Sequence, residues 1–548
     1  MNSVIIRDAT IFDPMNGLLN ETGDIFIDEG RITTSDAMDA SDATREINAG
    51  GRMTIPGGVF LHFPIPLSPL DFTGNHSPVN SVNSIISAGF TTIVNQGFAP
   101  FNSHEAHRWL AKIHNVNKVP IIDLGNFQFF LNFLKNGITN YALETTGIVL
   151  DSFKGYGIAL LQPGSTLRWK SRQLDASSIL KPLPFLGTSV VDLINEAIKL
   201  TFGKGQQPGS IMVQTGIEGE PRGFDITSQL LSMVGENEKN SSALGMHSLL
   251  LNEGSMLVAG STKSLVDLPN EIDKVKELMK AHEFSSFFAG IPPLQKEITF
   301  VEPGPSSLQS KGDILARVAS EGESYRVYFR IKDAGRRLKQ EIAWAASIKM
   351  FLDLPSDSAE RFAFSLKPVL INGPEPVVDI VGSLLSSAYR DSCIEEHVIQ
   401  LDHDRLIDIL GDGEMTLSNF IQATRSVPSM MLGIQDHVGG IGTGQLGDIV
   451  ILDATPAEWN DALKDPEQLK QILLQPHLLL NQGTITRSNT LERDGGTSGI
   501  TFLNRVQKNE SIHQTVYTNF DKTFLKYYST HLDSKMVKEG DIPRAFLT

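Results

Sequence analysis

The chain has 548 residues, 41% hydrophobic and 20% charged, with a net charge of −16. That length exceeds one ordinary core and predicts several domains, unless an α/β barrel takes up much of it. The acidic balance argues against nucleic acid, which is held by Lys and Arg against phosphate, and the single cysteine, Cys393, excludes a disulfide framework or a thiolate metal cluster within the chain.

The opening residues, Met1 to Asp8, lack the basic stretch and apolar run of a signal peptide. No apolar run reaches the roughly 18 residues of a membrane span, so a cytoplasmic protein without membrane contact is expected. Residues 4–56 read as short strands, with a hairpin signature where Asp24-Ile25-Phe26-Ile27 meets Ile32-Thr33 across a glycine-containing loop. After Pro56-Gly57-Gly58 the pattern changes. Helical stretches (78–87, 104–116, 338–352) alternate with short apolar runs at Gly89–Val94, Val119–Asp123, Gly157–Leu161 and Ser210–Val213. Strands alternating with helices imply a parallel sheet, most simply a closed barrel. Strand signals return at Gly447–Asp453 and in a second hairpin at Leu478–Thr486. The expected organisation is a first β-sandwich part (1–56), a (β/α) barrel (57–429), a second sandwich part (430–490) and an aromatic-bearing extension (491–548) suited to docking.

The residues after the first β segment carry a resemblance. Pro56-Gly57-Gly58-Val59-Phe60-Leu61-His62-Phe63-Pro64 is similar to the amidohydrolase superfamily's first barrel strand, which ends in an acid and two histidines in alternation. Alternate residues share a face, so both imidazoles of that motif can meet one metal ion. Here the acid is Phe60, the first histidine is His62 and the second is Pro64. Five further segments, in order, resemble the amidohydrolase-type subunit of formylmethanofuran dehydrogenase and of the bacterial formyltransferase/hydrolase complex. They are Leu124–Leu131, Gly157–Lys170, Val213–Gly223, Met246–Gly254 and Phe362–Pro368, and Leu432–Asp453 follows the same family further on. The resemblance covers roughly residues 4–490. It implies a distorted (β/α)8 TIM-type barrel with a small discontinuous β-sandwich.

Carried over position by position, the resemblance places the family's metal-bridging lysine on Ala159, a ligand histidine on Gln214, the next histidine on His247, and the catalytic aspartate on Leu366 beside Lys367. His62 and His247 alone survive as vestigial ligands, whereas a catalytic zinc site needs about three protein ligands and an open position. No metal is therefore expected, with zinc the ion if the site works after all. The favoured reading is a non-catalytic homologue of that family, holding the other subunits of a formyl-transfer complex in one-carbon metabolism. The alternatives are an active amidohydrolase that cleaves a formyl amide (a C–N bond, not a peptide) with a rebuilt site, and a binding protein that keeps the pocket without the metal.

Other polar features read as structural. Asp402-His403-Asp404 stands where acids cap a helix. Glu218, Glu220 and Arg222 read as a solvated loop at the barrel mouth. Gly439–Gly444 precedes a strand, the wrong context for binding phosphate. Cys393 has no nearby basic cluster in sequence and reads as an inert thiol.

Overall fold

The computed structural model describes residues 3–38, 43–63, 78–137, 139–171, 176–201, 211–216, 220–238, 249–251, 254–294, 299–303, 317–321, 324–329, 334–354, 356–367, 369–371, 373–488, 500–502, 510–538 and 545–547. Eight parallel strands form the centre. They are β1 (Gly58–Phe63), β2 (Phe90–Asn95), β3 (Asn117–Val119 and Ile121–Asp123, interrupted at Pro120), β4 (Gly157–Leu161), β5 (Ile211–Gln214), β6 (Leu249–Leu251), β7 (Ser285–Phe288) and β8 (Phe362–Ala363). Each pairs with the next. A parallel bridge between Leu61 and Ser365 returns the chain beyond β8 to β1. The ring is closed, and the expected barrel is borne out.

The interior follows from strand alternation. Val59, Leu61, Val94, Val119, Ile121, Ala159, Leu161, Met212, Leu250, Phe288 and Ala363 form one buried apolar cluster with at least one member from every strand. This is a packed core and not a pore. Pro120 cannot donate to the ladder and bends β3. The Asn95 carboxamide serves the next residue instead, accepting from the backbone N–H of Ile121 and donating to its carbonyl at 3.1 Å. The barrel floor is closed by Val427, Met431, Leu432, Ile434, Val438 and Leu446, which join the same cluster. The boundary expected at residue 430 therefore falls within the barrel floor.

The two flanking β segments share one sheet. Met53–Pro56 pairs antiparallel with Ile449–Ile451, which pairs with Leu478–Asn481. Ile32, near one end of this sheet, and Ile485, at the other, lie in one buried cluster, so the sheet wraps over its own core. The second hairpin turns at Gln482 (φ +51°) and Gly483 (φ +71°), two left-handed residues as a type I′ turn requires.

A buried polar junction ties this sheet to the N-terminal ends of the barrel strands. Asp448, wholly buried, accepts from Thr91 Oγ1 (3.2 Å), Asn481 Nδ2 (3.1 Å), the backbone N–H of Gln482 (2.8 Å) and Asn117 Nδ2. Burial pushes its carboxyl up to about 7, against the pull of these donors. Next to Asn117 on β3, Lys118 is fully buried, and among the described residues its ammonium has no hydrogen-bond partner. Burial drives it down to about 7.

Two features were not legible in the sequence. A small antiparallel sheet (Thr299–Pro303, Arg317–Glu321, Ser324–Phe329 and Val369–Leu370) lies between and after the last two barrel strands. The helix expected over 104–116 stops at Lys112, because Ile113 turns extended and Asn115 adopts φ +64°. The helix expected over 338–352 is present within Ala334–Asp353.

Near the C-terminus, helix Glu510–Tyr528 lies on the barrel helix Thr139–Phe153, where His513 pairs with Glu144. Phe520 is fully buried, stacked on Phe129 (5.4 Å) and edge-on to Phe127 (5.5 Å). Truncating a buried Phe to Ala typically costs about 3–5 kcal/mol. Phe520→Ala should therefore loosen this helix selectively, seen as faster proteolysis after residue 500 with the barrel left intact. Unchanged cleavage would show that the aromatic cluster does not hold the helix.

Candidate functional site

In barrels of this kind the chemistry sits at the C-terminal ends of the strands. Here β1 is irregular: its pairing with β2 shifts register between Phe60 and Phe63, and His62 has φ +62°. This breaks the alternation that would turn His62 away from Leu61's side. The imidazole enters the barrel and is 1% exposed. Its Nδ1 is 3.1 Å from Ser365 Oγ, its Nε2 is 3.2 Å from Met212 Sδ of β5, and its ring meets Phe288 of β7 edge-on at 4.6 Å. A thioether only accepts, so the tautomer that satisfies both contacts carries its proton on Nε2, with Ser365 turning its single hydroxyl proton to Nδ1 in place of the Leu366 carbonyl, also 3.1 Å away. Burial holds the imidazole's pKa down to about 3, so it stays neutral. Both ring nitrogens are engaged by neighbouring side chains.

The other positions to which the resemblance points are closed in a similar way. Ala159 of β4 lies under the backbone of Gly97 (φ +123°), where a Cβ would be 3.6 Å from the Ala159 methyl and 3.1 Å from Leu161. Gln214, at the end of β5, accepts from Gln96 Nε2 at 3.5 Å, and its carbonyl accepts from the backbone N–H of Gln162 at 2.6 Å. Leu366 is buried and bridges in parallel to Ile291. His247, Pro64 and Glu218 lie outside the described residues. Glu220 and Arg222 are exposed.

Sequence reasoning missed the residues that fill this mouth. Asp123, at the end of β3, accepts from the backbone N–H groups of Gly125 (2.9 Å) and Leu161 (3.0 Å). Asn126 donates to the carbonyls of Leu161 (3.1 Å) and Gln162 (3.4 Å) and accepts from Ser165 Oγ (3.2 Å) and the Thr166 N–H (3.0 Å). The strand ends are thus laced together by three glutamines, one asparagine and one carboxylate. Gly125 is required by this closeness, since a Cβ there would sit 2.7 Å from the Leu161 nitrogen. Chain position offered one signal: Asp123 and Gln214 each end an apolar strand run.

Carboxamides carry no charge to offer a cation, and among the described residues no three His, Cys, Asp or Glu side chains converge. The metal centre of the amidohydrolase fold does not fit the described residues. His62 has no free nitrogen, Ala159 and Leu366 have no donor atom, and the Asp123 Oδ1 lone pairs face two backbone N–H groups. Elsewhere, Asp402 caps helix His403–Leu410 by accepting from the Arg405 N–H. Cys393 is buried, which pushes its thiol up to about 12. Among the described residues no helix is long and apolar enough to cross a membrane.

No family model matches the chain. It is 21% identical to Protein FwdA of Methanocaldococcus jannaschii, over 98% of this chain and 96% of that protein. Its fold matches a chain in the crystal structure of the formyltransferase/hydrolase complex FhcABCD from Methylorubrum extorquens with methylofuran. The TM-score is 0.80 at 17% identity, covering 100% of this chain and 99% of the other. An L-hydantoinase from Arthrobacter aurescens is more distant in fold, with TM-score 0.46 at 12% identity over 91% of this chain and 99% of that one. The resemblance to the formylmethanofuran dehydrogenase family thus holds along nearly the whole chain, in sequence to FwdA and in fold to a chain of FhcABCD.

Proposed function

We propose that this chain is one component of a formyl-transfer complex of the formylmethanofuran dehydrogenase or formyltransferase/hydrolase kind, and that its role there is structural. The end-to-end similarity to FwdA and the match to a chain of FhcABCD support the setting. The single observation that supports a structural role is the state of His62. The inherited ligand is packed at the barrel centre with both nitrogens engaged.

The chemistry argues in the same direction. Hydrolysing a formyl amide at such a site relies on a metal that lowers the pKa of its bound water from 15.7 to about 7. No described residue in the mouth supplies a substitute. A lone general base contributes only about 10²–10⁴-fold, and a neutral imidazole buried against Met212 and Phe288 does not face bulk water.

The proposal is tested on the assembled complex. His62→Leu, alone and with His247→Ala, should leave assembly and formyl hydrolysis within about twofold of wild type, since on this reading neither imidazole takes part in the chemistry. Hydrolysis lost from a complex that still assembles would instead point to a rebuilt catalytic site. Failure of the wild-type chain to co-purify with any formyltransferase-type partner would remove the setting itself.

A further inference from the structure

Residues 181–189 form a turn on the rim of the barrel mouth, between β4 and the helix Val190–Thr201. The turn is held from both sides. Leu183 and Leu186 are fully buried in the main core, and Leu183 packs directly on Gly164, just past the end of β4. The Leu183 N–H donates to the Thr188 carbonyl (2.7 Å), and the Gly187 N–H donates to the Leu183 carbonyl (2.9 Å). Ser189 and Asp192 cap the helix reciprocally: the Asp192 N–H donates to Ser189 Oγ (3.1 Å) and the Ser189 N–H to Asp192 Oδ2 (3.0 Å). Pro182 and Pro184 fix two further φ angles.

At the tip of this turn Phe185 is 84% exposed and has φ +65°. Single exposed apolar residues are ordinary on protein surfaces, and Leu19, Val266 and Ile399 are exposed too. None of those three has a left-handed backbone. A bulky residue in that region is strained, and glycine would make the same turn without the cost. Backbone strain of this kind gathers at functional sites. Phe185 therefore joins three features: an apolar ring in water, a strained backbone and a turn already fixed around it. An aromatic group presented in advance loses less freedom when it binds.

We propose that Phe185 is the anchor by which a formyltransferase-type subunit docks on the rim of the barrel mouth, its ring entering an apolar pocket on that partner. The proposal rests on the reading of this chain as one component of a complex. Aromatic side chains are enriched at the centres of protein interfaces, where a few residues carry most of the binding energy. A second copy of this chain is the poorer partner. Two copies at −16 each repel, and the cavity beside Arg425 at the barrel floor has about 20 Å³ of open space, room for about one water and not for a phenyl ring. One ring on so acidic a chain is also a poor anchor for an anionic lipid surface.

The test titrates a purified formyltransferase-type subunit into the full chain and reads the dissociation constant. Phe185→Ala should weaken binding about thirtyfold or more, the ratio that about 2 kcal/mol represents at about 1.4 kcal/mol per tenfold. Leu19→Ala, at an exposed position of the flanking sheet, should leave binding unchanged. Phe185→Gly should weaken binding as much as Phe185→Ala without lowering the unfolding midpoint of the isolated chain, because glycine accepts the left-handed angle. Equal binding by wild type and Phe185→Ala, or an equal loss in Leu19→Ala, would overturn the proposal and leave the complex reading standing. So would self-association, or binding to phosphatidylcholine–phosphatidylserine vesicles, that Phe185→Ala abolishes while subunit binding persists. A wild-type chain that binds no formyltransferase-type subunit would remove both.

Discussion

Asp448→Ala should be the most destabilising single substitution at the junction between the barrel and the flanking sheet. The carboxylate satisfies four donors from three separate parts of the chain: Thr91 and Asn117 of the barrel, and Asn481 and Gln482 of the second hairpin. Removing it leaves those donors buried around a void. Breaking a buried charged network by deleting one partner costs roughly 3–5 kcal/mol. Asp448→Asn is the informative control. It keeps the volume and one acceptor oxygen but turns an –NH2 toward groups that also donate, so its loss should be intermediate. Denaturant unfolding followed by fluorescence gives both values. Equal stability for wild type and the alanine variant would mean the network is not formed as described.

Lys118→Met should have the opposite sign. The Lys118 ammonium is buried without a partner among the described residues, and its pKa falls from the ordinary 10.5 to about 7. Between those values the unfolded chain binds a proton that the folded chain does not, so stability rises with pH across this window. Below about pH 7 the wild-type penalty is fully present, at up to about 5 kcal/mol from about 1.4 kcal/mol per pKa unit. Lys118→Met removes it. The variant's advantage should be constant below pH 7, shrink as pH climbs, and vanish near pH 10.5. A gain independent of pH would show that packing, and not the buried amine, is responsible.

Much of the fold was legible because its signals are local. Apolar runs such as Gly157–Leu161 mark strands buried on both faces, and the glycine at Gly483 marks the second hairpin. The residues at the positions the resemblance points to are plain in the chain itself, since Ala159, Gln214 and Leu366 bear neither a charge nor an imidazole. The way His62 is used could not be read. Its direction depends on a left-handed backbone angle and on Met212, Phe288 and Ser365, which lie more than a hundred residues away. The lacing of Asp123, Asn126 and Gln162 was hidden for the same reason, since most of the partners are backbone groups brought near only by barrel closure. Lys118 is a charge that only closure of the surrounding layers buries, and nothing in its neighbouring sequence announces it.

The structural role proposed for this chain is tested most directly by metal stoichiometry. The purified chain, and then its complex, would be saturated with zinc, freed of excess by dialysis and measured by elemental analysis. With His62 packed against Met212 and Ser365, and Ala159, Gln214 and Leu366 at the other inherited positions, the expected content is far below one zinc per chain. Two tightly held zinc ions, lost together with formyl hydrolysis when chelated, would contradict it.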